Sequence, residues 1–382
     1  MPKRFTGENV FDAAVDRMVE IYDAGHRVVV SFSAGKDSTC ALHICLIAAE
    51  QTGRLPVEVI MRDEEIMFPG TFEYAERVAS WSEVSFHWIY ACQPIINVCN
   101  RTNPYWWVFD PELSPDEWVR QPPDIAYRIE EKSIERMTIA ERFPLNEGQD
   151  LYSVIGLRTQ ESRGRNMTIY SSKGHVTKPN FYGTYHARPI YDWTDGDVWK
   201  AIQMFKWDYN EAYNVMHKMG VPRNKLRIAP PTMSASGLDT LRLASHAWPQ
   251  WFEKVCRRCP GIRQAAHYGK LAMQPIRRIN ETWKDAYIRL CITEAPAWIA
   301  ERATAYMELR IREHDAHSPE PLPDLAPCML CGGGNGVTGS WKAMLQIMYT
   351  GDPFSFKNRR LNFVEPETFR PGAGVWGGKP SF

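Results

Sequence analysis

The 382-residue chain has no run approaching the roughly 18 consecutive apolar residues of a membrane helix, which excludes a helical membrane span. It has no net charge: 45 Lys and Arg balance 45 Asp and Glu, so no global basic field steers a polyanion to it. Local basic clusters remain. The N-terminal MPKRFTGENVFD lacks an apolar signal core, and no membrane partner is expected. These absences point to a cytoplasmic protein. In a reducing compartment its nine cysteines are thiols or metal ligands rather than disulfides. The chain is rich in tryptophan, with fourteen. Most would pack in cores, and exposed ones could stack on bases.

The most informative stretch is Ser31 to Thr39, SFSAGKDST. It follows the apolar run Val28-Val29-Val30 and precedes a helical apolar segment, Cys40 to Ala48. A small-residue turn between strand and helix lets the backbone approach an anion, and the helix aims unpaired N–H groups at it. Ser31, Ser33, Ser38 and Thr39 add hydroxyls, Ala34 and Gly35 keep the turn small, Lys36 adds a cation, and Asp37 suits a site that handles Mg²⁺. The Walker pattern, with Gly-Lys-Ser/Thr after a longer glycine loop, is absent.

Apolar spacing predicts a helix over 9–24, ended by Gly25, then strands at Arg27–Phe32, Val57–Met61, Val84–Tyr90 and Leu151–Ile155, with helices between. Alternation of this kind predicts a doubly wound parallel α/β sheet, with ligands beyond the carboxyl ends of its strands. Asp63 and Glu65 fall at one such end, where carboxylates could hold Mg²⁺. Gly156 to Arg165, GLRTQESRGR, begins at another. Its Arg158, Arg163 and Arg165 make a clamp suited to phosphate or sulfate, because guanidinium forks bind such oxyanions bidentately. Residues 91–150, rich in proline and aromatics, show no clear strand; they form an insertion that either shapes a pocket or wraps the sheet on Trp106, Trp107 and Trp118. Arg188 to Asp192 is expected to be extended, and Thr194 to cap a helix whose buried stripe is Val198, Ile202 and Phe205.

The layout is then an N-terminal helix (1–24), an α/β domain with the anion-binding turn (25–232), a mainly helical, cysteine-containing region (233–350) and a basic glycine-rich tail (351–382). Long amphipathic helices are expected at about 276–292 and 296–315, and a last helix at about 340–349. Cys256-Arg-Arg-Cys259 and Cys328-Met-Leu-Cys331 have the spacing of a Cys₄ zinc site, although the 68 residues between them far exceed the about 15–20 of a zinc ribbon. A [4Fe-4S] cluster and unrelated thiols are the alternatives.

The turn at 31–39 resembles the pyrophosphate (PP) loop, SGGKDS, of the adenine nucleotide alpha-hydrolase superfamily, with Ala34 where the first glycine is usual. MRDEEIMFPGT, with Thr71 after Asp63 and Glu65, is similar to the family's Asp-x-Glu segment, which implies that these carboxylates hold Mg²⁺ or meet ribose hydroxyls. GLRTQESRGR resembles the GxRxxES..R segment of phosphoadenylylsulfate (PAPS) reductases, and PIYDWTDGDVW at 189–199 resembles a scaffolding segment of the same family. EWVRQPPD and YNVMHKMGVPRNKLR look like the phage and prophage proteins labelled PAPS reductase-like. The resemblance covers residues 25–230 or so. It implies binding of ATP or PAPS, with Mg²⁺, and cleavage between the α- and β-phosphates to activate an acceptor for sulfur transfer. Lys36, Asp37 and Asp63 would carry the catalysis. The acceptor could be nucleic acid, and a sulfur-donor protein or a ParB-like protein could be a partner. Two other readings stand beside this one: a true PAPS or adenylylsulfate reductase, and a non-catalytic nucleotide-sensing regulator. A thioredoxin-linked reductase carries a nucleophilic cysteine near its C-terminus, and here no cysteine follows Cys331. The family's iron–sulfur arrangement begins with adjacent cysteines, and this chain has no such pair.

Overall fold

The computed structural model describes residues 7–129, 142–161, 167, 169, 174–180, 183–232, 238–331, 339–353 and 364–369. The chain forms two compact units. The first comprises Met1–Gln93, Trp107–Pro231 and Leu243–Val255; the second comprises Pro94–Trp106, Thr232–Arg242 and Cys256–Phe382.

The first unit begins α1 (Val10–Asp23), β1 (Arg27–Ser31), α2 (Lys36–Gln51), β2 (Val57–Arg62), α3 (Thr71–Ala79) and β3 (Val84–Tyr90). The chain then runs through β4 (Gln93–Ile96) and β5 (Tyr105–Val108), which pair in a small two-stranded sheet. After β6 (Tyr127–Arg128) come β7 (Leu151–Ile155), β8 (Thr184–Ala187), α4 (Asp195–Met204) and α5 (Ala212–Lys218). The main sheet has the order β6-β3-β2-β1-β7-β8, and its described pairs are all parallel.

The central strand β1 has Val28, Val29 and Val30 all buried, the continuous apolar run of a strand covered on both faces. Side chains alternate between two cores. Val28 and Val30 join Val57, Val59, α1 and α2 in one cluster, while Val29 joins Ile60, Ile89 and Leu151 in another. This is the doubly wound α/β architecture expected from the alternation.

Three local expectations differ. Residues 91–150 do contain strands, short ones built from apolar and aromatic runs such as Tyr105–Val108. The segment expected to be extended, Arg188–Asp192, turns instead, Trp193 N–H donating to Ile190 O at 3.1 Å; the strand lies earlier, at Thr184–Ala187, and Pro189 has no N–H to continue its ladder. Thr194 does cap α4, its Oγ1 accepting the Asp197 N–H at 3.1 Å. Val198 and Ile202 are buried, but Phe205 lies just past the helix end, 44% exposed, stacked on Phe11 and Trp207.

Beyond α5 follow α6 (Leu238–Ala247), α7 (Pro249–Arg258) and α8 (Ile262–Tyr268). The second unit's core is built on α9 (Trp283–Tyr287), a π-helical turn at Ile288–Thr293, α10 (Ala297–Asp315) and α11 (Trp341–Met348). Tyr287, Cys291, Ala303, Tyr306, Met344 and Leu345 pack there. The long helix expected at 276–292 starts only at its Thr282 cap and loosens after Tyr287, where the Glu294 N–H reaches back five residues to Arg289 O at 2.8 Å.

Candidate functional site

The order of the main sheet creates the site. From β1 the chain winds outward through β2 and β3 on one side, then returns to place β7 on the other. The crevice at the carboxyl ends of β1 and β7 is the topological switch point, where open α/β sheets bind ligands. A cavity of about 490 Å³ lies there. The turn after β1 supplies Ser33, Gly35, Lys36, Asp37 and Ser38, and the loop after β7 supplies Gly156, Arg158, Gln160 and Glu161. Asp195 opens α4, Tyr213 comes from α5, and Asn224 and Arg227 come from the basic loop beyond it.

Ser38 closes the turn on itself. Its Oγ donates to Gly35 O at 2.9 Å and accepts the Gly35 N–H at 3.1 Å. The Lys36 N–H donates to Tyr213 Oη at 3.0 Å. Asn210, fully buried, donates through Nδ2 to Ala34 O at 3.2 Å and to Thr71 Oγ1 at 3.0 Å, pinning the turn from outside. Ala34 adopts φ +55°, the left-handed region that favours glycine. The two loops also touch. A Cβ on Gly156 would stand 2.5 Å from the carbonyl carbon and oxygen of Asp37, so only glycine lets the β7 loop lie against the turn.

Charge in the cavity is balanced among the lining residues, Lys36, Arg158 and Arg227 against Asp37, Glu161 and Asp195. Asp37 is shared: Lys36 Nζ donates to Oδ2 at 2.9 Å and Arg158 Nε donates to Oδ1. Asp195 draws in the same cations from the other side, 3.9 Å from Lys36 Nζ and 3.7 Å from an Arg158 Nη, with Arg223 Nε 3.6 Å away. Lys36 and Arg158 are both buried.

Thus Ser33, Gly35, Lys36, Asp37, Ser38, Gly156 and Arg158 line one cavity. Other expected residues are used differently. Ser31 Oγ shares a hydrogen bond with Ser153 Oγ at 3.0 Å, and Thr39 Oγ1 one with Tyr74 Oη at 3.0 Å. Arg163 and Arg165 lie outside the described residues. Asp63 and Glu65 are fully buried and are not among the residues lining the cavity. Asp63 accepts from Trp88 Nε1 at 3.0 Å and from Arg120, and burial raises it to about 6 against the pull of that guanidinium. Glu65 accepts the Phe109 N–H at 2.6 Å and the Val119 N–H at 3.0 Å. These two carboxylates therefore tie the 107–120 stretch to the end of β2, a positioning role rather than the metal- or ribose-binding one expected. Sequence reasoning missed Tyr213, Asn210, Gln160, Asn224 and Asp195 as site residues. For Tyr213 and Asn224 the available signal was the polar, basic composition of YNVMHKMGVPRNKLR, and Gln160 lies within the GLRTQESRGR segment.

The four-cysteine site is also redrawn. Cys328 and Cys331 come together, but the third donor beside them is His314, and Cys256 and Cys259 are not in that group. A knuckle projects both thiols from a tight turn. Cys256 instead sits in the last turns of α7, close enough to Cys99 to help burial push that thiol up to about 12, and Cys259 is fully buried.

A doubly wound α/β domain with a pinned small-residue turn and a cationic pair at its switch point is the class that this fold and site define. Residues 27–218, half of the chain, match the family model of the phosphoadenosine phosphosulfate reductase domain, and the chain belongs to that family. It is 28% identical over 281 residues to the uncharacterized protein YbdN of Escherichia coli K12, covering 68% of each chain. Solved structures with a similar fold include FMN adenylyltransferase of Candida glabrata (12% identity, TM-score 0.36, 53% of this chain and 57% of that one). A PAPS reductase of Candida auris in a phosphate complex is another (12%, 0.29, 56% and 94%). A third is the U34-tRNA thiolase NcsA of Methanococcus maripaludis with its [4Fe-4S] cluster (13%, 0.31, 68% and 80%). The chain thus spans little more than half of the adenylyltransferase.

Proposed function

We propose that the switch-point cavity binds the phosphates of an adenine nucleotide together with Mg²⁺, and that the protein cleaves the α–β bond of ATP or a related adenylyl nucleotide to activate an acceptor for sulfur transfer. The observation that carries this reading is the arrangement of Lys36 and Arg158 around Asp37 at the start of α2, beside the Gly35–Ser38 turn. Two buried cations and a helix N-terminus suit a polyphosphate. The equal number of lining carboxylates suits a ligand that brings a divalent cation, and hard oxygen donors such as Asp37 and Asp195 fit Mg²⁺. Bound there, Mg²⁺ would neutralise phosphate charge. Lys36 and the turn would hold the departing pyrophosphate, which needs charge stabilisation more than a covalent nucleophile when an acceptor attacks the α-phosphorus. Arg158, tethered by Asp37 and Asp195, would orient the phosphate under attack. We place the activity in the cytoplasm, where nine free cysteines stay reduced. No helix among the described residues is long and apolar enough to cross a membrane.

One observation favours this reading over a true PAPS or adenylylsulfate reductase. Reduction needs a thiol at the nucleotide, and none of the described residues lining the cavity is a cysteine. Cys40, in α2, is fully buried with its thiol pushed far up by burial. The test measures binding of ATP, adenylylsulfate and PAPS by calorimetry, alongside pyrophosphate release from ATP and sulfite release from PAPS with a thiol donor. Lys36→Ala and Arg158→Ala should each weaken nucleotide binding by about 1.5–3 kcal/mol, the size of a charge-assisted hydrogen bond. Unchanged affinity in both variants would sink the site. Binding without pyrophosphate release would point to a sensor, and sulfite release to a reductase.

A further inference from the structure

We infer that the second unit binds one zinc ion through Cys328 Sγ, Cys331 Sγ and His314 Nδ1. These three donor atoms lie within 4.8 Å of one another. Cys328 and Cys331 have the C-x₂-C spacing of a zinc knuckle, and the residues between them form a turn. The Cys328 N–H in turn donates to Gly339 O at 2.8 Å. A Cβ on Gly339 would stand 2.9 Å from Cys328 N and 3.4 Å from Cys331 Sγ, so the returning backbone is pressed against the two-cysteine turn.

His314, 1% exposed in the last turn of α10, completes the group. Its ring is oriented by a backbone carbonyl. Nε2 lies 2.6 Å from Glu320 O, and a carbonyl only accepts, so in the neutral imidazole Nε2 carries the proton and Nδ1 presents its lone pair. That lone pair faces Cys331 Sγ at 3.2 Å. A tetrahedral zinc with ordinary Zn–S and Zn–N bonds sets such an N···S separation at about 3.5 Å. A metal-ligating imidazole that donates its other N–H to a backbone carbonyl is the usual outer arrangement of a zinc site. Two thiolates and an imidazole favour zinc over the hard cations, and supply three of the four positions of a tetrahedral ion. The site is separate from the nucleotide cavity in the residues it uses, so it stands whether or not the proposed reaction does.

The experiment is elemental analysis of the untagged full-length protein, purified without chelator, and of single variants. About one zinc per chain is expected, in a colourless protein, with zinc lost from Cys328→Ser, Cys331→Ser and His314→Ala and kept in Cys256→Ser and Cys259→Ser. Cobalt titration of the metal-free, reduced protein covers variants that fold poorly. It should give tetrahedral d–d bands and thiolate charge-transfer absorption in the parent. His314→Cys should restore cobalt binding with stronger charge-transfer absorption, since it adds a third thiolate. Absence of zinc together with failure to bind cobalt would overturn the inference. So would zinc loss from Cys256→Ser or Cys259→Ser equal to that from Cys328→Ser, which would restore the four-cysteine site. Iron with acid-labile sulfide in its place would also overturn it.

Discussion

Ala34 shows how one residue is decided by competing terms. At φ +55° an L-residue is strained by roughly 1–2 kcal/mol, which glycine would relieve. Against this, the Ala34 methyl is fully buried in the main core, and losing it forfeits about 0.8 kcal/mol of burial. Glycine also raises the entropy of the unfolded chain, a further loss of about 0.4–1 kcal/mol. The terms nearly cancel. Ala34→Gly should therefore change unfolding free energy by less than about 1 kcal/mol in a denaturant titration, and leave nucleotide affinity within twofold. A gain of several kcal/mol would mean that strain dominates and that alanine marks an eroded loop. At the same scale, Asp63 and Glu65 show where sequence position misleads. Both stand at a strand end, where a ligand-facing carboxylate belongs, yet their oxygens are taken by Trp88, Arg120 and the amides of Phe109 and Val119. These donors lie 25 or more residues away in sequence from the carboxylates they meet, and three of them fall in the stretch that composition left without a structure.

Elements were legible where one physical signal acted alone. The apolar runs at Val28–Val30 and Leu151–Ile155 mark strands, Thr194 marks a cap, and the small-residue turn marks the start of α2. Elements were illegible where tertiary pairing decides: β6 is two exposed residues that become a strand only because β3 offers an edge, and the π-helical turn after Tyr287 has no sequence marker. The site was half legible for the same reason. Its own turn is local, but Tyr213 and Asn210 reach it from about 175 residues away. Gly156 lies between these cases. Its motif was visible, but the need for glycine appears only when the β7 loop meets α2. Gly156→Ala would drive a methyl into the Asp37 carbonyl and to within 2.6 Å of Ser38 N, and backbone in the first turn of a helix cannot step aside. Overpacking of this kind costs about 1–3 kcal/mol. The variant should lower the thermal midpoint and weaken nucleotide binding at least tenfold, because the two loops that form the cavity are forced apart. If midpoint and affinity both match the parent, the loop contact does not hold the site together.

For the molecule as a whole, zero net charge puts the burden of anion binding on the cavity itself. There two of the lining cations are already engaged, Lys36 and Arg158 by Asp37 and Asp195. A bare polyphosphate entering this cavity would set its charge against those carboxylates in a partly desolvated place. A magnesium nucleotide would instead give Asp37 and Asp195 a cation and release Lys36 and Arg158 to the phosphates. Stability reports the difference, since any ligand that binds only the folded state adds RT ln(1 + [L]/Kd). At a hundredfold excess over Kd this is about 2.7 kcal/mol. For a unit of this size each kcal/mol moves the midpoint by roughly 2–4 °C. Mg²⁺ with ATP should accordingly raise the thermal midpoint of the parent by roughly 5–10 °C in a scanning experiment. The same ATP concentration in EDTA should give less than a third of that shift, and Lys36→Ala, with affinity weakened by about 1.5–3 kcal/mol, should keep at most about half of it with Mg²⁺. Equal shifts with and without the metal would show that the cavity's carboxylates are not cation ligands. No shift in either condition would remove the nucleotide from this cavity altogether.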